Sequence, residues 1–253
     1  MHPVARRLYA IYIVFVSSRC FSPCHLPFSD YNMFVIANIM NRPMPCSGGT
    51  DQKMKKRIWD LYAPIYKKAM QADQRIYDFM YERIPLKIRD MEVLEIATGP
   101  GLLARHVAPA AKRMIATDYS DGMIAEAKKG SCPANLTFEV ADAMNLPYAD
   151  DSFDAVLIAN ALHIVPDPEK ALREIDRVLR PGGLLIAPNF VEHKGTLGSR
   201  IWSRILQIAG IRFEHQWSAA EYLQFLENNG WKVEFSREME ARIAMMYTEC
   251  RKM

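Results

Sequence analysis

At 253 residues, 50% hydrophobic and 24% charged, the chain has the size and composition of one large α/β domain, and two full domains are not expected. Its formal charge of +3 lies entirely in residues 1–53, which hold 5 basic and 2 acidic side chains, whereas residues 54–253 hold 27 of each. A neutral body without a basic stripe argues against nucleic acid as the main partner, because phosphate contacts need clustered Lys and Arg.

The five cysteines are an odd number, and only Cys132 and Cys250 fall in the body of the chain. No disulfide framework is readable, which suits a reducing, cytoplasmic setting. Cys20, Cys24, His25 and Cys46 match no zinc spacing well, so no metal site is expected.

Residues 1–53 read differently from the rest. Arg6 and Arg7 precede the apolar run Leu8 to Val16, after which Pro, Cys and Ser punctuate a patternless stretch. Such a run is too short to span a bilayer as a helix and resembles a weak leader. We expect an N-terminal extension or mis-chosen start, with membrane association only if this stretch is retained. Met54 opens the expected domain, 54–253. Residues 54–89 carry Ile58, Leu61, Tyr62, Ile65, Tyr66, Ile76, Phe79 and Met80 at helical spacing, predicting two helices before the first strand. Tyr62 and Tyr66 share a face, either as a packing stripe or as part of a lid.

From Glu92 onward strand and helix patterns alternate. Strands are expected at 93–97, 113–117, 136–140, 153–159 and 184–190, with helices at 102–111, 122–129 and 168–179 between them. Repeated β-α units mean a parallel sheet with helices on both faces, and right-handed crossovers make it doubly wound. The alternation pauses through 191–218, where His193, Trp202, His215 and Trp217 suggest an insertion covering a pocket. Ser218 and Glu221 then form a capping box ahead of Tyr222, Phe225 and Leu226. Two closing strands, 231–235 and 241–247, are expected to pair antiparallel.

The chain is organised around VLEIATGPGLLA, residues 93–104, a strand turning into a helix through a glycine loop. Gly99 and Gly101 permit a tight turn and close approach of a ligand to the backbone. The loop also fits the loose G-x-G-x-x-A dinucleotide fingerprint, which is weak alone. Glu95, just before the loop, would repel a pyrophosphate and attract a cation. Asp118 closes the second strand, where a carboxylate can accept both hydrogen bonds of a ribose diol. Asp142 follows the third strand, placed to accept from an adenine amino group. S-adenosylmethionine, with a sulfonium, an ammonium, a ribose and an adenine but no phosphate, fits these charges.

Four segments, LEIATGPG, ATDYSDGMIAEAKK, VADAMNLPYADDSFDAVLIANALH and LREIDRVLRPGGLLIA, occur in one order and spacing. Together they resemble class I S-adenosylmethionine-dependent methyltransferases, the group that includes quinone-ring and phospholipid-headgroup methylating enzymes, over residues 54–253. The resemblance implies a Rossmann-like sheet of seven strands, mostly parallel, whose last strand is inserted antiparallel. It implies Glu95, Gly99 and Gly101 around the methionine part of the cofactor, and Asp118 on the ribose. Tyr119 and Met123 would flank the adenine, Asp142 and Ala143 would bind its edge, and Asn160 would offer backbone near the amino-acid end. Tyr62 and Tyr66 resemble the family's N-terminal lid segment, with Tyr66 on the cofactor and Tyr62 toward the acceptor. Ala97, where many members carry glycine, departs from the pattern and is expected to be a mild change. Phe153, Asp154 and the Pro181–Gly183 turn are expected to be structural.

Methyl transfer from a sulfonium is an in-line displacement, which needs collinear positioning and exclusion of water more than a dedicated base. His163, just past the fourth strand, is the candidate base or substrate contact, with packing at the loop as the alternative. Trp202 and Trp217 are candidate contacts to a small apolar or aromatic acceptor. An NAD-dependent oxidoreductase is the second reading, although no tyrosine has lysine four residues on. A non-catalytic cofactor-binding subunit is the third.

Overall fold

A computed structural model describes residues 56, 59, 60, 74–192, 215–240 and 244–252. All of them fall in the unit spanning Thr50–Met253. The expected extension at 1–53, most of the first helix and most of the 191–218 insertion lie outside the described residues.

Helix α1, Gln74–Lys87, buries Ile76, Met80 and Ile84 at a spacing of four, so one stripe faces the sheet. Alternating units follow: β1 Glu92–Ile96, α2 Leu102–Val107, β2 Arg113–Asp118, α3 Asp121–Ala127, β3 Leu136–Val140, β4 Phe153–Ile158, α4 Pro168–Val178 and β5 Leu179–Ile186. The chain closes with β6 Asn189–Phe190, α5 Ala219–Asn228, β7 Trp231–Met239 and β8 Met245–Lys252. The strand order is β3-β2-β1-β4-β5-β8-β6, with β7 also pairing β8. Strands β1 to β5 are parallel, and β8 runs antiparallel to β5, β6 and β7. The doubly wound sheet and its antiparallel inserted strand therefore stand as expected. The eighth strand, β6, continues β5 along the same edge of β8, since Ile186 pairs Glu249 and Asn189 pairs Met246.

Period-two alternation divides the core into two layers. Leu94, Ile96, Val156, Ile158 and Leu185 face α4 and α5, while Val93, Ala155, Leu157, Leu184 and Ile186 face α1 and α2. Glu95 shares the α1 and α2 face with Val93.

Several boundaries move from the expected ones. Helix α2 stops at Val107, and a single 3₁₀ turn with Pro109 at its start replaces the last turn expected to reach residue 111. β7 and β8 extend to Met239 and Lys252, well beyond 235 and 247. β8 is buried from Met245 to Cys250, so the alternation that reveals a half-exposed strand is missing there. At β5, pairing jumps from Phe153↔Leu179 to Ala155↔Leu184. Arg180 to Gly183 leave the ladder in the expected turn, with Gly182 at φ 70°. Phe153 is core, and Asp154 accepts from the Glu92 N–H at 2.8 Å and pairs with Arg180.

Candidate functional site

The site assembles where β1, β2, β3 and β4 end. In this order β1 lies between β2 and β4, so the chain winds outward on both sides from the β1/β4 boundary, where doubly wound sheets open a crevice.

β1 delivers Glu95 into that crevice with 2% of its surface exposed. The chain then turns sharply: Ala97, Gly99 and Gly101 all have positive φ, at 56°, 56° and 74°. For Ala97 this is a strained choice, so the substitution is not the mild change expected. The turn brings the Thr98 hydroxyl onto Glu95 Oε2 at 2.7 Å. Burial pushes the Glu95 carboxyl up to about 7, with the Thr98 bond opposing and the Asp118 charge reinforcing that shift.

Gly101 differs in part from its expected role. A Cβ there would stand 2.7 Å from the Phe138 ring, so besides its positive φ the residue lets α2 close against β3. Gly99 meets the site directly, donating its N–H to Asp118 Oδ2 at 2.8 Å. Asp118 Oδ1 accepts from the Ser120 N–H at 2.9 Å. Burial pushes Asp118 up to about 6, against the pull of these two backbone bonds, and the Asp60 charge adds to the rise.

Beyond β2, Tyr119 is half-buried and Met123 is buried, its N–H capped by the Ser120 hydroxyl at 3.0 Å. Asp142 Oδ1 accepts from the Met144 N–H at 2.9 Å, shaping its own turn, and Ala143 packs on the α4 and α5 layer. After β4, Asn160 takes φ 53° and bonds the Pro188 carbonyl through its N–H at 2.7 Å, while its buried Oδ1 has no partner. A buried acceptor left open in a strained residue is costly unless something else bonds it.

His163 is 4% exposed and its Nδ1 meets Asn189 Oδ1 at 2.8 Å. Burial pushes the imidazole down to about 4, although the Asn189 bond favours its charged form. It is therefore neutral at physiological pH. The His163 carbonyl accepts from the His215 N–H at 3.1 Å, which places His215 beside it. Trp217 stacks with His215, at 5.3 Å, and with Phe225 of α5, at 4.7 Å, and packs against the core. Those contacts suit a packing residue. Tyr62, Tyr66, Trp202 and His193 lie outside the described residues.

The structure thus brings together Glu95, Ala97, Gly99, Asp118, Tyr119, Asp142, Asn160 and His163 at one end of the sheet. Sequence reasoning missed Thr98, Ser120, Asn189, Lys56 and Asp60. The hydroxyl of Thr98, three residues after a buried acid, and Ser120, in the N-cap position before α3, were readable signals. Among the described residues no group of three or more His, Cys, Asp and Glu converges to hold a metal ion. Nor does any cation pair with Glu95 or Asp118 among them. A buried acid, Glu95, and a half-buried one, Asp118, at the mouth of a glycine loop, with no counter-charge among the described residues, can receive a cationic and hydroxyl-bearing ligand.

Fold and site together define a Rossmann-like domain of the class I methyltransferase type. The methyltransferase-domain family matches residues 94–187. The demethylmenaquinone methyltransferase of Thermus thermophilus is 35% identical over 159 residues, covering 59% of this chain and 70% of that protein. The ubiquinone/menaquinone biosynthesis C-methyltransferase UbiE of Geobacter sulfurreducens is 35% identical over 142 residues, 52% of this chain and 55% of that one. The chain thus spans about half the length of that relative. A chain of the Haloferax volcanii complex between the Trm112 methyltransferase activator and the methyltransferase shares the fold, with a TM-score of 0.66 at 22% identity over 78% of this chain and 96% of that one. The chain belongs to the S-adenosylmethionine-dependent methyltransferase family.

Proposed function

We propose that the chain transfers the methyl group of S-adenosylmethionine to a small organic acceptor, and that an electron-rich aromatic ring of the quinol type is the acceptor class to try first. The observation that carries the cofactor reading is the pair of acids at the ends of β1 and β2, buried Glu95 and half-buried Asp118, which no cation among the described residues pairs. The donor set fits the group. Glu95 would receive the ammonium end, Asp118 the ribose diol and Asp142 the adenine edge, while the open Oδ1 of Asn160 offers a further acceptor beside the amino-acid end. When bound, S-adenosylmethionine supplies a methyl carbon made electrophilic by its sulfonium.

The chain's own residues bind, orient and exclude water. The Ala97–Gly101 turn holds the Thr98 hydroxyl on Glu95 and the Gly99 N–H on Asp118, so both acids are aimed before a ligand arrives. His163 is kept neutral by burial, oriented by its bond to Asn189, and is a weak base at physiological pH. That supports a role in positioning the acceptor more than in removing its proton. We also propose that residues 54–253 form the catalytic unit, with 54–89 acting as a lid and 191–218 roofing the acceptor. A cytoplasmic site of action is our reading of the free thiols Cys132 and Cys250.

The resemblance to UbiE supports the quinol class, and the acceptor atom is to be found by assay. Incubating the full chain with S-adenosylmethionine and a panel of quinols, naphthols and amines should yield acceptor-dependent S-adenosylhomocysteine. Tight cofactor binding with no turnover on any acceptor would favour the regulatory-subunit reading. Binding of NAD alone would favour the oxidoreductase.

A further inference from the structure

Lys56, Trp59 and Asp60 have helical backbone and reach the far side of the β2 loop. Asp60 Oδ1 accepts from the Ser120 hydroxyl at 2.5 Å and from the Gly122 N–H at 2.9 Å. Lys56 Nζ pairs with Asp121 at 2.7 Å and stands 5.2 Å from the centre of the Tyr119 ring. These contacts converge on residues 119–122. A Cβ at Gly122 would come within 2.8 Å of the Asp60 Cα, so the glycine permits backbone approach that no other residue would. The Ser120 that Asp60 grips is the residue whose N–H fixes Asp118 Oδ1 and whose hydroxyl caps α3 at Met123.

We propose that Asp60 is a positioning residue for the cofactor: through Ser120 and Gly122 it sets the loop that aims Asp118, and so couples the N-terminal segment to the ribose end of the site. The inference rests on the reading that Asp118 receives the cofactor's diol.

Two effects of Asp60 can be separated. Its oxygen accepts two hydrogen bonds, which an asparagine oxygen can also do. Its charge faces Asp118, together with Glu95 from β1, while Lys56 from the same segment and Asp121 of α3 pair with each other nearby. Removing a like charge lowers the Asp118 pKa, so ligand affinity should persist to lower pH.

The test is calorimetric titration of the full chain with S-adenosylhomocysteine between pH 5 and 8, for wild type, Asp60→Ala, Asp60→Asn and Ser120→Ala. Asp60→Ala should bind about tenfold more weakly at pH 8, the scale of losing hydrogen bonds to a charged acceptor. Asp60→Asn should stay within about twofold at pH 8, and the part of its fall in affinity around pH 6, where Asp118 protonates in the wild type, should move to lower pH. Ser120→Ala, which keeps the loop backbone, should lose about threefold and serves if Asp60→Ala does not fold. Wild-type binding with unchanged affinity in the alanine variants would overturn the inference and leave the cofactor reading standing. Asparagine behaving like alanine, or showing no shift in pH dependence, would also overturn it. Failure of the wild type to bind would overturn the cofactor reading, and this inference with it.

Discussion

Two glutamates on the same face of the sheet are equally buried and have opposite fates. Glu249 on β8 receives Arg83 Nε at 2.6 Å and Nη2 at 3.0 Å, Lys87 Nζ at 3.1 Å and the Tyr247 hydroxyl at 2.9 Å. Burial alone would raise its pKa, but these partners hold it below the usual glutamate value. Glu95 on β1 has one hydroxyl partner among the described residues and is pushed up to about 7. A buried acid whose cations come from its own fold, here from α1, is a structural clamp. An acid buried with no cation among the described residues fits the proposed role of receiving an external one. The surroundings agree, since strained Ala97 and Asn160 and the open Asn160 Oδ1 lie at the Glu95 end.

Truncating the clamp should have the largest effect. Glu249→Ala leaves Arg83 and the Tyr247 hydroxyl without their partner and should cost about 3 kcal/mol of stability, read from the urea midpoint. A loss below about 1 kcal/mol would mean that the network is solvated rather than structural.

Asp118→Ala should weaken S-adenosylmethionine binding by about 1.5 to 3 kcal/mol in calorimetry, with little change in folding stability. Unchanged affinity would count against the ribose assignment. Glu95→Gln should do the reverse of Glu249→Ala, raising the stability of the free protein by up to about 2 kcal/mol at pH 8 while reducing cofactor affinity. The folded protein holds a proton on Glu95 up to about pH 7, whereas the unfolded chain releases it near 4.5. Between those values the native state binds more protons, so stability falls as pH rises, and the variant should flatten that slope. Glu249 has the opposite sign, its contribution fading as pH falls below the ordinary glutamate range.

The smallest effect concerns strain. Ala97→Gly relieves a left-handed alanine and should raise stability by about 0.5 to 1 kcal/mol without altering cofactor affinity, as checked by thermal denaturation and titration.

The parallel, doubly wound sheet and the crevice were legible because β1 to β5 announce themselves as short apolar runs set between helical patterns and turn residues. The glycine loop, the acid at the end of β2 and the Ser218–Glu221 capping box were legible for the same local reason, and the capping box is present with both its bonds. What escaped was non-local. The left-handed state of Ala97 is imposed by the turn around it, and nothing in an alanine signals positive φ. The grip of Asp60 on Ser120 spans 60 residues of chain, and the sequence pattern marks that aspartate only as one polar position on a helix. Arg83 and Glu249 are 166 residues apart. The extent of β8 was hidden because a strand buried on both faces shows no alternation.

With its carboxyl pushed up to about 7, Glu95 is partly protonated at neutral pH and can exchange that proton for a ligand cation. The most direct test is calorimetry of the full chain with S-adenosylmethionine at pH 7 in buffers of different ionisation enthalpy, with NAD as the comparison ligand. A cation beside Glu95 lowers its pKa from about 7, so binding should release a fraction of a proton, seen as a buffer-dependent enthalpy that Glu95→Gln abolishes. Binding without proton release, or release that persists in Glu95→Gln, would contradict the claim.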